Sequence, residues 1–463
     1  MGNYRYAISA HNDKLMAETG QRPRFFVRTY GCQMNSRDSE KLSALLMQLG
    51  YDQAQGQEDA DLILYNTCCV RENAETKIFG NLGRLKHAKA TKPNLIVGVC
   101  GCMTQQPEIA QQIKEKHRYI NLVFGTQNRH RLPEFLWQVI QTGKQVIDIT
   151  EDEGQFEIED VPVTVREFAH KAGVNIMYGC DNYCSYCIVP YVRGREKSRN
   201  MDDILQEVQE LAENGVKEIM LLGQNVNSYI HNGELAFPKL LHKVSDIEGI
   251  ERIRFMTSHP KDFSDELISA FASLPKVCRF VHLPIQSGST KVLEDMNRKY
   301  TQEYYLELIE RLRTAMPDIA ISTDLIVGYP GETEEDFEET LNVVRKVRFA
   351  NAFTFVYSKR SGTPAALRCD TIAPKVASDR FDRLVAELGP ILVEINNAKI
   401  GKIFAVMVEE ITAEKPGEGY MYKGRADDHA LVHFSSKEQL NLGDIVPVCI
   451  EYAKTYYLGG YHA

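Results

Sequence analysis

A chain of 463 residues is too long for one ordinary domain and long enough to bury two to four separate cores. With 43% hydrophobic and 25% charged residues, no apolar run near the ~18 residues a bilayer crossing needs, and no secretory leader in residues 1–23, it reads as globular, with the cytoplasm as its expected compartment. A net charge of −9 excludes nucleic-acid binding through overall positive charge but leaves room for a local basic path, and eleven cysteines without an export signal point to metal binding or catalysis rather than disulfides.

Residues 24–140 alternate short apolar runs with helical spacing. Phe25–Tyr30, Asp61–Thr67, Asn94–Gly101 and Asn121–Thr126 read as strands, and segments such as Ser39–Leu49 and Glu75–Leu85 as the helices between them. That order predicts a parallel α/β domain. Residues 1–23 form an extension without an assigned role, and 141–165, ending in the acidic stretch EDEGQFEIEDVPVTV, read as a linker.

From 166 to 398 the strand–helix alternation restarts. Val174–Gly179, Glu218–Leu222, Ile253–Thr257, Phe280–Pro284, Ile321–Val327 and Phe353–Tyr357 are the predicted strands, with helices including Asp202–Glu213, Gln302–Met316 and Glu335–Val347. Six such units predict a partial (β/α)6 barrel with its chemistry at the carboxyl ends of the strands. In 400–463 the period changes to two: Phe404–Ile411, Gly419–Arg425, Leu431–Phe434 and Ile445–Tyr452, between turns such as Lys415–Gly417 and Asn441–Asp444, predict a small antiparallel OB-like β-barrel.

The sharpest chemical signal is Cys180-Asp-Asn-Tyr-Cys184-Ser-Tyr-Cys187, just after the first barrel strand. Three thiolates on one loop can ligate three irons of a 4Fe-4S cube and leave the fourth iron open to a small molecule, as radical S-adenosylmethionine (SAM) enzymes require; a zinc site with a distant fourth ligand is the alternative. Cys32, Cys68 and Cys102 each follow a predicted strand, so in a parallel sheet their thiols fall along one edge and can share a second cluster. Buried packing is the alternative for this set. Cys69 and Cys100 lie within two residues of a proposed ligand, alternation places Cys69 opposite Cys68, and Cys278, Cys369 and Cys449 read as packing residues.

The strings TYGCQMN (29–35), NTCCVRE (66–72), CGCMTQ (100–105), GCDNYCSYCIVPYVRGREKSR (179–199), LLGQNVNSY (221–229), TSHP (257–260), HLPIQSGS (282–289), MNRKYT (296–301), IVGYPGETEEDF (326–337) and YSKRSGTPA (357–365) run in order along nearly all the chain past residue 24. Together they resemble the MiaB-type methylthiotransferases, which modify N6-dimethylallyladenosine in tRNA. The resemblance implies a methylthiotransferase domain with an auxiliary 4Fe-4S cluster on Cys32, Cys68 and Cys102. It implies a radical SAM core with a second 4Fe-4S cluster on Cys180, Cys184 and Cys187, and a terminal TRAM domain that contacts tRNA. Cys69, where the family usually has a small residue without a thiol, and Cys100 leave room for a ligand swap.

The implied reaction uses one SAM as methyl donor to a cluster-held sulfur and another as source of a 5'-deoxyadenosyl radical that takes hydrogen from C2 of the adenine. It needs a flavodoxin- or ferredoxin-type electron donor; the sulfur donor and any catalytic residue beyond the cluster ligands stay unassigned. The resemblance places Tyr186, Gly223 and Gln224 near SAM, and the strand register points Gln286, Ser287 and Asp324 toward the same mouth, with satisfied barrel polar groups as their alternative. Arg193, Arg195, Lys197 and Arg199 after the cluster loop are candidate contacts to a tRNA anticodon loop, with Lys423 and Arg425 on the terminal barrel. Sister enzymes acting on threonylcarbamoyl-adenosine in tRNA or on a ribosomal-protein aspartate, and an iron-sulfur RNA-binding protein without catalysis, are the competing readings.

Overall fold

The computed structural model describes residues 2–69, 72–150, 166–415 and 419–463. The predicted linker stretch 151–165, and the Lys415–Gly417 turn beyond its first residue, lie outside the described residues. The chain divides into two compact units, one of residues 1–167, 178–181 and 188–196, the other of 168–177, 182–187 and 197–463.

In the first unit, α1 (Gly2–Thr19) leads into β1 (Arg24–Thr29), α2 (Gln33–Gln48), β2 (Asp52–Gln53), β3 (Leu62–Thr67), α3 (Glu72–Thr91), β4 (Ile96–Gly101), α4 (Pro107–Lys116), β5 (Leu122–Phe124), α5 (Leu132–Thr142) and β6 (Val146–Asp148). The strands form one parallel sheet in the order β2-β1-β3-β4-β5-β6. Every residue of β3 is buried, as expected for a central parallel strand covered on both faces. Its side chains alternate: Leu62 and Leu64 join a core with Phe25, Leu45 and Phe135, and Ile63 and Tyr65 join another with Val97, Leu82 and Ile113. The helix α1, in a segment given no role by sequence, packs onto this unit. Ile8 of α1 is fully buried in the first of those cores, and Asn12 Nδ2 donates to Leu49 O at 2.8 Å.

The second unit carries six parallel strands in two half-sheets. Lys171–Asn175, Glu218–Leu222 and Arg252–Phe255 pair in sequence order, as do Phe280–His282, Ala320–Val327 and Asn351–Val356. Between the halves, Ile253 makes an isolated parallel bridge to Val277, just before the strand Phe280–His282. Helices follow the strands, including Met201–Glu213, Gln302–Ala315 and Glu334–Val347, the last opened by a Thr333–Asp336 capping box. The first strand begins at Lys171 rather than Val174, because Lys171 pairs with Glu218 at the start of its neighbour.

The terminal barrel differs from expectation in two linked ways. A fifth strand, Leu458–His462, joins Ile403–Lys415, Gly419–Ala426, Leu431–Ser436 and Ile445–Ala453 to close the ring. The barrel is therefore not wholly antiparallel: Leu431–Ser436 and Leu458–His462 run parallel, while the other four pairings are antiparallel. A ring of five strands cannot alternate direction all the way round, so one parallel pair is a topological necessity. Arg252 ties this barrel to the six-stranded body by donating to Arg425 O (2.9 Å) and Ala405 O (2.8 Å), and Arg254 by donating to Ala426 O (2.8 Å) while its Nε meets Glu218 at 2.9 Å.

Two substitutions test these contacts. Gly101 has φ +103° and any Cβ there would stand 2.4 Å from Thr67 O, so Gly101→Ala is expected to destabilise the first unit by about 1–3 kcal/mol, read as an earlier urea transition. Arg254→Met leaves Glu218 buried without its cation and is expected to cost about 3–5 kcal/mol, read the same way on the second unit.

Candidate iron-sulfur and SAM site

The carboxyl ends of β1, β3 and β4 are neighbours, and each is followed by a cysteine of the Cys32, Cys68, Cys102 set. Asn66 pairs with Cys100 and Thr67 with Gly101, so Cys68 and Cys102 leave the sheet side by side, and the Cys102 N–H donates to Thr67 O at 2.9 Å. Gly31, with φ +142°, brings the β1 turn so close that a Cβ there would lie 2.7 Å from Cys68 Cβ and 3.3 Å from its Sγ. Glycine at 31 and at 101 thus permits the approach of three backbone turns that no side chain would allow.

Cys68 and Cys102 are buried and Cys32 is exposed at the rim. Cys69 lies in the same core as Cys102, and its thiol hydrogen bond, with help from the Arg193 guanidinium, holds the Cys102 thiol below its ordinary range. Cys100 belongs to the core on the other face of the sheet, where burial pushes its thiol well above the ordinary range. Gly101, with φ +103°, turns the chain between them, so Cys100 stays in the opposite core while Cys102 reaches the site. Cys69 remains adjacent to the site.

Arg193 completes this site. It is buried, its Nε donates to Cys102 Sγ (3.2 Å), and one terminal nitrogen donates to Asp38 (2.9 Å) and Asn35 Oδ1 (3.2 Å). Asp38 also accepts from Arg129. Burial opposes the charge on Arg193, yet Cys102, Asp38 and Cys32 hold it protonated well above its usual range. Asn35 further accepts from Cys32 Sγ (3.4 Å) and donates to Thr67 O (2.9 Å), stitching two of the three turns together.

In the CxxxCxxC loop, Cys180 belongs to the first unit and Cys184 and Cys187 to the second. The Cys187 N–H closes a turn on Cys184 O at 2.9 Å. Cys184 Sγ accepts from the buried Arg298 Nη1 at 3.4 Å, and Arg298 also donates to Pro284 O (2.8 Å) and to Tyr300 OH (2.8 Å). Burial works against its charge while Tyr300, Tyr186 and Cys184 raise its pKa well above the ordinary value. Each candidate thiol set therefore carries one buried arginine bonded to one of its sulfurs.

At the carboxyl ends of strands Glu218–Leu222 and Arg252–Phe255, four buried polar atoms have no partner among the described residues: Gln224 Oε1, Asn225 Oδ1, Ser258 Oγ and His259 Nε2. Buried polar groups are normally satisfied, so this cluster suits a polar ligand with amino, carboxylate and hydroxyl groups, such as SAM. His259 Nδ1 accepts from the Lys261 N–H (3.3 Å), and burial, with Arg298 and Lys261, drives its pKa far down. The ring is thus neutral, with its free Nε2 bearing the proton. Ser258 and His259 sit in TSHP and Arg298 in MNRKYT; those strings are visible in the sequence, but no spacing rule assigns them a role.

Among the described residues no three His, Cys, Asp or Glu side chains stand close enough to hold a single ion. An iron-sulfur cube does not require that, since each thiolate meets its own iron. The Cys32, Cys68 and Cys102 set, with a buried cation beside it, fits such a group, and Cys184 has its own buried cation in Arg298.

The remaining predicted residues divide. Tyr186 packs on the cluster of Val292, Met296, Tyr329 and Ala365, and Gly223 is approached by Met177, whose Cγ would lie 2.5 Å from an added Cβ. Gln286 is buried with φ +76° and its N–H donates to Asp324 O, and the Asp324 carboxylate lies 3.6 Å from His282 Nε2. Ser287 departs from its expected role as a SAM contact: it is fully buried, bonded to Thr340 Oγ1 (3.4 Å) and the Ser289 N–H (3.2 Å), because the QSG turn presses onto helix Glu334–Val347.

Of the proposed RNA contacts, Arg193 is committed to the thiol site. Arg199 is buried, donating to Asn175 O (2.6 Å) and Glu207 (2.7 Å). Neither is placed to meet RNA, because each guanidinium satisfies buried acceptors of the fold. Arg195 is exposed and paired with Asp181, and Lys197 is half-buried. On the terminal barrel Lys423 pairs with Glu410 (2.7 Å) and Arg425 with Glu409 (3.5 Å). No helix of the described residues is long and apolar enough to cross a membrane.

The radical SAM superfamily model matches residues 174–344, and the model described as uncharacterized protein family UPF0004 matches 24–125. The solved radical S-adenosylmethionine methyltransferase TsrM from Kitasatospora setae superposes with a TM-score of 0.56 at 16% identity, over 75% of this chain and 77% of that one, a likeness of fold. The tRNA-2-methylthio-N(6)-dimethylallyladenosine synthase of Caldicellulosiruptor saccharolyticus is 53% identical over 87% of this chain and 85% of its own. That of Clostridioides difficile (strain 630) is 48% identical over 99% of this chain and 95% of its own. Identity at that level along both chains is far beyond what a shared barrel alone produces, and the chain belongs to the tRNA-2-methylthio-N(6)-dimethylallyladenosine synthase family.

Proposed function

We propose that this chain is a radical SAM methylthiotransferase that adds a methylthio group to C2 of N6-dimethylallyladenosine beside the anticodon of tRNA. It holds two 4Fe-4S clusters, one on Cys180, Cys184 and Cys187 and an auxiliary one on Cys32, Cys68 and Cys102. The observation that carries this reading is the meeting of three turns, at Gly31–Cys32, Cys68 and Gly101–Cys102, beside a buried cation. Bound there, the two clusters and SAM supply a carbon radical strong enough to break an unactivated C–H bond and a place to hold the incoming sulfur.

The protein's share is placement and exclusion of water. Arg298 keeps Cys184 oriented and compensates thiolate charge, and Asn225, Gln224, Ser258 and the neutral His259 receive the polar groups of SAM, with Tyr186, Gly223, Gln286 and Asp324 around them. Residues 24–140 serve as the methylthiotransferase domain, 166–398 as the radical SAM core after a linker at 141–165, and 400–463 as a TRAM domain. Arg195, Lys197, Lys423 and Arg425 are the cations left for tRNA. The enzyme works in the cytoplasm and draws electrons from a flavodoxin- or ferredoxin-type donor.

Anaerobic turnover with SAM, reductant, sulfide and tRNA bearing dimethylallyladenosine, with mass spectrometry of the nucleosides, tests the proposal. The parent chain is expected to yield the methylthio nucleoside. Cys184→Ala should abolish 5'-deoxyadenosine, whereas Cys68→Ala should keep that cleavage and lose the methylthio product. Cys100→Ser should retain both, since its thiol faces the opposite core. Methylthiolation by Cys68→Ala, with its loss in a Cys69→Ala variant, would reassign the auxiliary ligand.

A further inference from the structure

Arg193 has one donor more than the fold uses. Its Nε goes to Cys102 Sγ and its Nη2 to Asp38 and Asn35, but Nη1 is buried with no partner among the described residues. A guanidinium hydrogen on a nearly inaccessible side chain carries a high cost when left unmade, unless an acceptor arrives with the ligand. The acceptor has to be small, since Arg193 is only 4% exposed, and it has to tolerate the thiols of Cys32 and Cys102, whose charges act on this guanidinium. Both Asp38 oxygens are engaged, one by Arg193 Nη2 and one by Arg129, so the acceptor for Nη1 has to come from elsewhere.

The transferred group of a methylthiotransferase contains a sulfur that the adenine does not supply. A small sulfur anion, hydrosulfide or methanethiolate, matches the size of this place and the charge of the guanidinium. We infer that Arg193 is the anion-holding residue of the auxiliary site: its free Nη1 donates to the sulfur anion while Nε fixes Cys102 and Asp38 locks the guanidinium plane. The inference rests on the two-cluster reading and adds to it a positioning residue for the sulfur. The planar fork matters, because one nitrogen holds the cysteine while another meets the anion, and a lysine offers only a point charge.

The test uses the full chain with Cys180, Cys184 and Cys187 replaced by Ala, so that only the auxiliary cluster is loaded, and compares Arg193 with R193Q and R193K. Sodium methanethiolate is titrated anaerobically while the cluster's EPR signal is followed, and the midpoint potential is measured without it. R193Q is expected to raise the half-saturating methanethiolate concentration about tenfold or more and to lower the potential, since a cation beside the cluster is gone. R193K should recover the potential far better than the binding. A half-saturation and potential unchanged in R193Q, at equal iron per chain, overturn the inference. If R193Q does not fold or hold iron, R193K decides: weakened methanethiolate binding supports the inference and unchanged binding overturns it. A parent that binds no iron on this background removes the auxiliary-cluster reading, and the inference falls with it.

Discussion

The first unit depends on a close approach that only glycine permits. Parallel strands β1, β3 and β4 end side by side, and the path of the chain beyond each end is decided by whether its backbone turn can come within contact of the neighbouring one. Gly31 and Gly101 remove the side chains that would block it, and the thiols one residue later inherit the proximity. Asn35 then bonds across the turns, so geometry set by missing atoms is held by present ones.

Charge is the second constraint. Thiolates in a buried place need compensation, and the protein supplies one arginine to each set, Arg193 to Cys102 and Arg298 to Cys184. The two are built differently. Arg193 is anchored by a carboxylate, whereas the hydrogen bonds of Arg298 go to a carbonyl, a phenol and the thiol itself. Both belong to motif strings that a reader of the sequence can see, and in neither case does sequence alone reveal that the cation is buried.

Much of the architecture was legible because periodicity reports burial. The strand Glu218–Leu222 falls where its apolar run predicts, and the order of strands along the first sheet agrees with three cysteines each trailing a strand. What escaped was long-range. The fifth barrel strand Leu458–His462 is short and glycine-containing, with no alternation of its own, and is recruited by ring closure. Helix α1 has little amphipathic pattern and is held by a few contacts such as Ile8 and Asn12. Arg193 and Arg199 look like half of a basic path for RNA, because a local run of cations cannot say which of them the fold consumes. Likewise Ser287 reads as a mouth residue until the QSG turn is seen against Thr340.

Everything proposed for the chemistry requires that two separate thiol sets hold two clusters. Iron determination with Mössbauer spectroscopy decides this, on the anaerobically reconstituted chain and on a variant with Cys32, Cys68 and Cys102 all replaced by Ala. Two clusters predict a fall from about eight to about four irons per chain, with the remaining cluster still perturbed by SAM. An unchanged iron count in that variant, or about four irons in the parent, would contradict the two-cluster assignment.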